Sequence, residues 1–126
     1  MSIPPRLQTD LASIRTSFDV AEPITDGSFV NIIIRGFPLG SGYSKTATDL
    51  LIRVPLSYPS TGPDMFWTEP EVRLASGQEP AAASTMETHI DRNWRRFSWH
   101  RKPWDSARDN MMGFVEFIRH RLEMKQ

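Results

Sequence analysis

Two apolar runs rich in β-branched residues, joined by a glycine- and proline-rich turn, restrict this chain to folds that contain an antiparallel strand pair. The first run, Phe29 to Phe37, is dominated by valine and isoleucine, which suit a pleated sheet better than a helix. The second runs from about Thr46 to Val54, and Pro55 ends it because proline has no N–H to donate. Between them, residues 36–42 supply the backbone angles of a turn. The sequence therefore predicts two paired, buried strands.

Amphipathic helices are predicted at both ends of the chain. Near the N-terminus, Leu7, Leu11, Ile14 and Phe18 recur at helical spacing, and the preceding prolines are tolerated in a first turn. Near the C-terminus, Ser106 and Asp109 match a capping box. The helix predicted after this box has one apolar face, formed by Met111, Phe114, Val115, Ile118 and Leu122.

The middle of the chain completes the predicted architecture. Met65 to Leu74 is expected to form a third strand interrupted by Pro70, giving an antiparallel meander of three or four strands. Ala75 to Thr88 is small and polar, and we expect a long surface loop there. Because 126 residues suffice for one core but hardly for two, residues 1–126 are predicted to form a single α+β domain, with helices covering one face of the sheet.

Composition excludes several classes of function. The chain has no cysteine, so it has no disulfide, no thiolate zinc site and no cysteine nucleophile. Lys plus Arg and Asp plus Glu both number 15, which disfavours nucleic acid as the main partner. In the basic stretch from Arg92 to Lys102, interleaved aromatics are expected to be buried and cations solvated. No secretory signal or membrane span is apparent, so a cytoplasmic location without membrane partners is expected.

A group of polar side chains near Trp99 is the candidate site. If residues 96–101 are extended, Ser98 and His100 project from the same side, which is the minimum for a base-activated nucleophile. The alternative is a surface hydroxyl beside a solvated or capping imidazole. His89, Asp91 and His100 are possible zinc ligands, but their spacing matches no recurrent motif, and no metal or other cofactor is predicted. The glycines near residue 40 lie between strands, which disfavours a phosphate-binding loop.

The stretch 50–63, reading LLIRVPLSYPSTGP, resembles the core of ubiquitin-conjugating enzymes, in which a strand leads into a Tyr-Pro, spacer, Pro segment. Trp94, Phe97, Ser98, His100 and Trp104 precede a capped helix as that family's active-site segment does. From first helix to last, the chain is similar to the prokaryotic ubiquitin-conjugating-like proteins found beside bacterial ubiquitin-like modifiers and activating enzymes. The family's His-Pro-Asn element and catalytic cysteine have no counterpart, and position 98 is the closest candidate for the vacant place.

This resemblance implies a UBC-like fold and two partners, a ubiquitin-like modifier and its activating enzyme. In one hypothesis Ser98 accepts the modifier's C-terminus as an oxyester, His100 is the general base, and Arg95 or backbone amides stabilise the developing negative charge. In the other, the chain is an inactive conjugating-like scaffold. The analogy places the activating enzyme on the first helix (Leu7 and Leu11) and the 36–43 loop (Phe37, Pro38 and Tyr43), and the modifier on the sheet. A third possibility is that a natural cysteine has been replaced.

Overall fold

The computed structural model describes residues 3–100 and 103–124, which contain two helices and an antiparallel sheet. The helices are α1 (Pro5–Ile14) and α2 (Met111–Met124). The strands are β1 (Asp19–Val20), β2 (Ile24–Asp26), β3 (Phe29–Pro38), β4 (Ala47–Pro55), β5 (Phe66–Thr68), β6 (Thr85–His89) and β7 (Arg92–Phe97). The predicted α+β class is confirmed, and β3 and β4 lie where the apolar runs indicated.

The sheet is larger than the predicted meander. Within the described residues it has seven strands in the order β1-β3-β4-β5-β7-β6, with β2 also paired to β3. The prediction of a loop from Ala75 to Thr88 is wrong at its end, because Thr85–His89 forms β6, which pairs with β7. The predicted third strand is also shorter than expected: β5 ends at Thr68, before Pro70.

Both helices cover one face of the sheet. Leu7, Leu11 and Ile14 of α1 are buried, as predicted, against alternate residues of β3 and β4. The predicted apolar face of α2 is buried in the same core, and each such side chain contributes about 1.5–3 kcal/mol. Helix α2 begins later than the capping box implies: the Asn110 side chain accepts from the Gly113 amide at 2.8 Å. Asn110, and not Ser106, is therefore the N-cap.

The opposite face of the sheet carries a smaller apolar cluster. Leu51, Trp67 and Trp94 are buried there, with Ile33, Met65 and Ile90 packed around them. Leu51 points away from the helices because its neighbours Leu50 and Ile52 point toward them. No helix covers this side among the described residues, so we call it the open face.

The Tyr-Pro segment, residues 58–63, is held by hydrogen bonds on two sides. The Tyr58 hydroxyl donates to the Asp10 carboxylate, which also accepts from the Met111 amide and so joins both helices to this segment. On its other side, Trp104 Nε1 donates to the Pro59 carbonyl at 2.8 Å. The chain after β7 therefore returns across the Tyr-Pro segment before α2 begins.

Candidate functional site

The open face contains a groove of about 620 Å³. Its floor and walls include the apolar side chains of Phe29, Pro55, Met65 and Trp67. Polar groups at its margin come from β4, from residues 61–64 and from β6: Arg53, Thr61, Asp64, Glu87, Thr88 and His89. An apolar cleft with a few convergent polar groups is the usual form of a binding site.

Glu87 is the centre of a hydrogen-bonded network at the groove wall. Its Oε1 accepts from Trp67 Nε1 at 2.9 Å and lies 2.9 Å from His89 Nε2, while Oε2 accepts from Arg96 Nη1 at 2.6 Å. Burial opposes ionisation of Glu87. The hydrogen bonds with His89 and Trp67 and the charge of Arg96 outweigh burial and lower the pKa of this carboxyl. Glu87 is thus held as a carboxylate.

Strand register brings these groups together. Glu87 lies opposite Trp94 and Thr85 lies opposite Arg96, so Glu87 and Arg96 are diagonal neighbours on one face of the β6–β7 hairpin. Long side chains reach across that spacing. The arrangement therefore depends on the pairing of β6, the strand that the sequence did not predict.

Ser98 lies just beyond the end of β7 and is joined to this network. Arg96 Nε donates to Ser98 Oγ at 3.0 Å, so one guanidinium contacts both Ser98 and Glu87. The Ser98 amide donates to the Ala82 carbonyl at 2.9 Å, which fixes the backbone there. Trp99 packs on the core of the helical side, as expected, with the Arg121 guanidinium 3.6 Å from its ring centre.

His100 is paired with Asp64 at the groove margin. The distance from Nδ1 to Asp64 Oδ1 is 2.6 Å, and the two side chains are 48% and 55% exposed. A carboxylate on Nδ1 orients the imidazole and leaves Nε2 as the nitrogen for proton transfer. Ser98 and His100 therefore have separate partners, Arg96 and Asp64. Asp64 lines the groove, and Arg96 contacts Glu87, which also lines it.

A sequence model of prokaryotic E2 family E matches residues 7–125, nearly the whole chain. The chain belongs to prokaryotic E2 family E. This membership supports a ubiquitin-conjugating-like role, and the α+β architecture is consistent with it. Comparisons with curated proteins and with solved structures give no match. Across the described residues of this family E chain, no helix is both long enough and apolar enough to cross a bilayer.

Arg95 of the family E chain does not occupy the predicted position. It is fully buried; Nε and Nη2 donate to the Pro70 carbonyl, and Nη1 contacts the Ala83 carbonyl and Glu79. A guanidinium engaged on all its nitrogens cannot reach a substrate. The expectation that the cations of this stretch are solvated is therefore wrong for Arg95, and its burial disfavours the predicted role in stabilising negative charge. Arg96 is the cation beside Ser98; Arg101 and Lys102 lie outside the described residues.

The predicted partner-binding residues are mostly in the core. Leu7, Leu11, Phe37 and Tyr43 are at most 9% exposed, which disfavours them as the predicted contact surface. Burial raises the pKa of Tyr43 to about 12, and its hydroxyl donates to the Leu122 carbonyl. Pro38 alone of the five is exposed.

The three side chains considered as metal ligands have different surroundings. His89 contacts Glu87, His100 contacts Asp64, and Asp91 lies in the β6–β7 turn. In residues 3–100 and 103–124, no three His, Cys, Asp or Glu side chains are grouped to hold a metal ion.

Sequence reasoning missed Asp64, Glu87 and Arg96. One signal for two of them was present: Glu87 and His89, like Arg96 and Ser98, are two residues apart and share a face if both segments are strands. Reading 75–88 as a loop concealed it. The pairing of Asp64 with His100 has no local signal because 36 positions separate them.

Proposed function

We propose that this family E protein receives a ubiquitin-like modifier from its activating enzyme and carries it as an ester on Ser98. The observation that carries the proposal is the contact from Arg96 Nε to Ser98 Oγ at 3.0 Å. It places a cation beside a hydroxyl in the segment that resembles the active-site segment of conjugating enzymes. With no cysteine in the chain, that hydroxyl is the best-placed nucleophile.

The proposed step is an acyl transfer. Ser98 Oγ attacks the carbonyl carbon of the modifier's C-terminus, which the activating enzyme presents as an activated ester. The new C–O bond forms, the bond to the leaving group breaks, and the serine proton passes to His100 Nε2 and on to the leaving group. Arg96, which contacts Ser98 Oγ, stabilises the negative charge that develops on the carbonyl oxygen of the modifier's C-terminus.

His100 is the proposed general base because Asp64 orients it. Ser98 and His100 are two residues apart in the chain just after β7, where alternate side chains of an extended segment share a face. Catalytic hydrogen bonds are often formed only once substrate is bound. We infer that the modifier's tail, lying in the groove beside Asp64, brings the imidazole to the hydroxyl.

A serine ester differs from the thioester of cysteine enzymes in two ways. A thiol has a pKa of about 8.5 and forms appreciable thiolate near neutrality, whereas a serine hydroxyl needs a base. The resulting ester is also less reactive toward amines. We therefore expect slow loading and a long-lived intermediate.

The second candidate is a scaffold that binds modifier or activating enzyme without carrying either covalently. The observation that favours it is the separation of the two predicted catalytic groups: Ser98 is bonded to Arg96, and His100 to Asp64. In this alternative the groove on the open face is a binding surface only.

One experiment separates the two candidates. The protein is incubated with its cognate modifier, activating enzyme and ATP, and adducts are separated by denaturing electrophoresis. An ester on Ser98 survives reducing agent, is cleaved by hydroxylamine and is absent in Ser98→Ala. Ser98→Cys should give an adduct that reducing agent cleaves, and the exposed Ser17→Ala is the matched control. Binding without any adduct supports the scaffold.

A further inference from the structure

We infer that Glu87 is a positioning residue for the reaction at Ser98: it holds the Arg96 guanidinium in the orientation that directs Nε at the serine hydroxyl. This inference rests on the function proposed above and assigns a role to a residue outside the sequence resemblance. Glu87 does not contact Ser98 itself. Its effect passes through Arg96, whose Nη1 and Nε contact Glu87 and Ser98 at 2.6 and 3.0 Å.

A guanidinium suits this role because it is planar and rigid. With Nη1 fixed by a carboxylate, the direction of the Nε–H bond is fixed as well. A lysine in its place would supply the charge at one point but could not hold both contacts in a set geometry. The side chains of Arg96 and Glu87 are 28% and 27% exposed, so their ion pair is only partly screened by water.

Glu87 is itself fixed by two groove residues. Trp67 Nε1 and His89 Nε2 both contact Oε1, and the Trp67 and His89 rings pack edge to face with centroids 5.4 Å apart. Oε2 remains for Arg96. The carboxylate thus joins the groove wall to the guanidinium, and a modifier tail that contacts His89 or Trp67 would act on the same atoms that orient Arg96.

Glutamine cannot replace Glu87 in this network. The carboxylate accepts on both oxygens, from Trp67 and His89 on one side and from Arg96 on the other. A glutamine has one acceptor oxygen and an NH₂ group, which would face either the indole N–H or the guanidinium. Glu87→Gln therefore removes one side of the network while changing the size of the side chain very little.

The test is single-turnover loading with saturating modifier-charged activating enzyme. We expect Glu87→Gln to slow loading roughly tenfold to a hundredfold, the range that follows from misplacing a catalytic group. The half-saturating concentration of activating enzyme should stay unchanged, and Glu87→Asp should recover part of the rate. Glu69→Gln is the matched control: Glu69 also pairs with two cations, Lys45 and Arg92, and is similarly exposed.

A double-mutant cycle decides whether Glu87 acts through Arg96. If it does, Glu87→Gln slows loading in the wild-type background and has no further effect in Arg96→Ala. Additive losses, an equal loss in Glu69→Gln, or a loss explained by a smaller folded fraction would each overturn the inference.

A separate measurement keeps this inference distinguishable from the proposed function. The Arg96 Nε–H resonance in ¹⁵N spectra should exchange slowly in the wild type and in Glu69→Gln, and quickly in Glu87→Gln. If wild-type protein forms no adduct, the proposed function fails and the catalytic role of Glu87 fails with it, whatever the spectra show. If the adduct forms but the resonance is unchanged in Glu87→Gln, only the positioning role is overturned.

Discussion

Replacing Gly62 with alanine tests how tightly the segment after β7 is held against the Tyr-Pro segment. A Cβ atom at position 62 would lie 2.2 Å from Trp104 Cδ2, 2.5 Å from Cε3 and 2.7 Å from Cε2. Carbon atoms in contact are about 3.5–4.0 Å apart, so the indole would have to retreat by more than about 1 Å. The Trp104 ring is rigid, and its Nε1 donates to the Pro59 carbonyl, so it has little freedom to move.

The expected cost follows from these contacts. Overpacking costs about 1–3 kcal/mol, and loss of the indole hydrogen bond adds about 0.5–1.5 kcal/mol. Because Gly62 has an ordinary φ, alanine there also stabilises the protein by about 0.4–1 kcal/mol, since it lowers the conformational entropy of the unfolded chain. We therefore expect Gly62→Ala to lower the free energy of unfolding by about 0.5–4 kcal/mol, measured by urea denaturation, with the slope of the transition unchanged.

The control is the same substitution without the indole. In a Trp104→Ala background the new methyl group meets no ring, so Gly62→Ala should be neutral or stabilising by up to about 1 kcal/mol. Equal destabilisation in both backgrounds would refute the steric reasoning. If Gly62→Ala in the otherwise wild-type protein leaves the free energy of unfolding unchanged, Trp104 is not packed on this glycine.

Three further predictions concern ionisable groups that are buried or half-buried. Burial raises the pKa of both tyrosines of the chain, Tyr43 and Tyr58, so absorbance at 295 nm should show no tyrosinate near pH 10 until the protein unfolds. The free energy of unfolding should fall as pH rises above 10. Titration of either ring near pH 10 in the native state would contradict this prediction. Because the native pKa of Glu87 lies below its ordinary 4.5, the stabilisation it provides is complete above pH 4.5 and is lost as pH falls through the lower native pKa. The free energies of unfolding of wild type and Glu87→Gln should therefore differ at pH 7 and converge in acid. A difference that stays constant with pH would be inconsistent with this prediction. Asp10→Ala should lower the free energy of unfolding by about 2–4 kcal/mol in urea denaturation, because the Tyr58 hydroxyl and the Met111 amide lose their buried acceptor. A loss under about 0.5 kcal/mol would contradict the role of Asp10 as their shared acceptor.

The sequence predicted the elements whose signal is local. The β-branched run of β3 indicated a buried strand, and Val30, Ile32 and Ile34 are buried. The apolar face of α2 is buried as its helical spacing indicated. The helix start was misplaced because Ser106 and Asn110 both carry capping side chains. Packing decides between them: Met111 is the first residue of α2 that enters the core.

The remaining features depend on tertiary pairing. Strand β6 has exposed or half-exposed side chains throughout and no apolar alternation, and it forms a strand because β7 is beside it. Arg95 and Arg96 are chemically identical and adjacent, yet one is buried against carbonyl groups and the other contacts Ser98. No local pattern distinguishes them. The burial of Arg95 disfavours it as the catalytic cation. Ser98 and His100 stay predictions.

The central claim is that Ser98 carries the modifier, and mass spectrometry of the loaded protein tests it most directly. The protein is charged with modifier, activating enzyme and ATP, digested at low pH to preserve esters, and mapped. We predict that the C-terminal residues of the modifier are found on the peptide containing Ser98, with fragment ions that place them on its oxygen. A modifier remnant on a lysine or on another serine, or an unmodified Ser98 peptide alongside demonstrated binding, would contradict the claim.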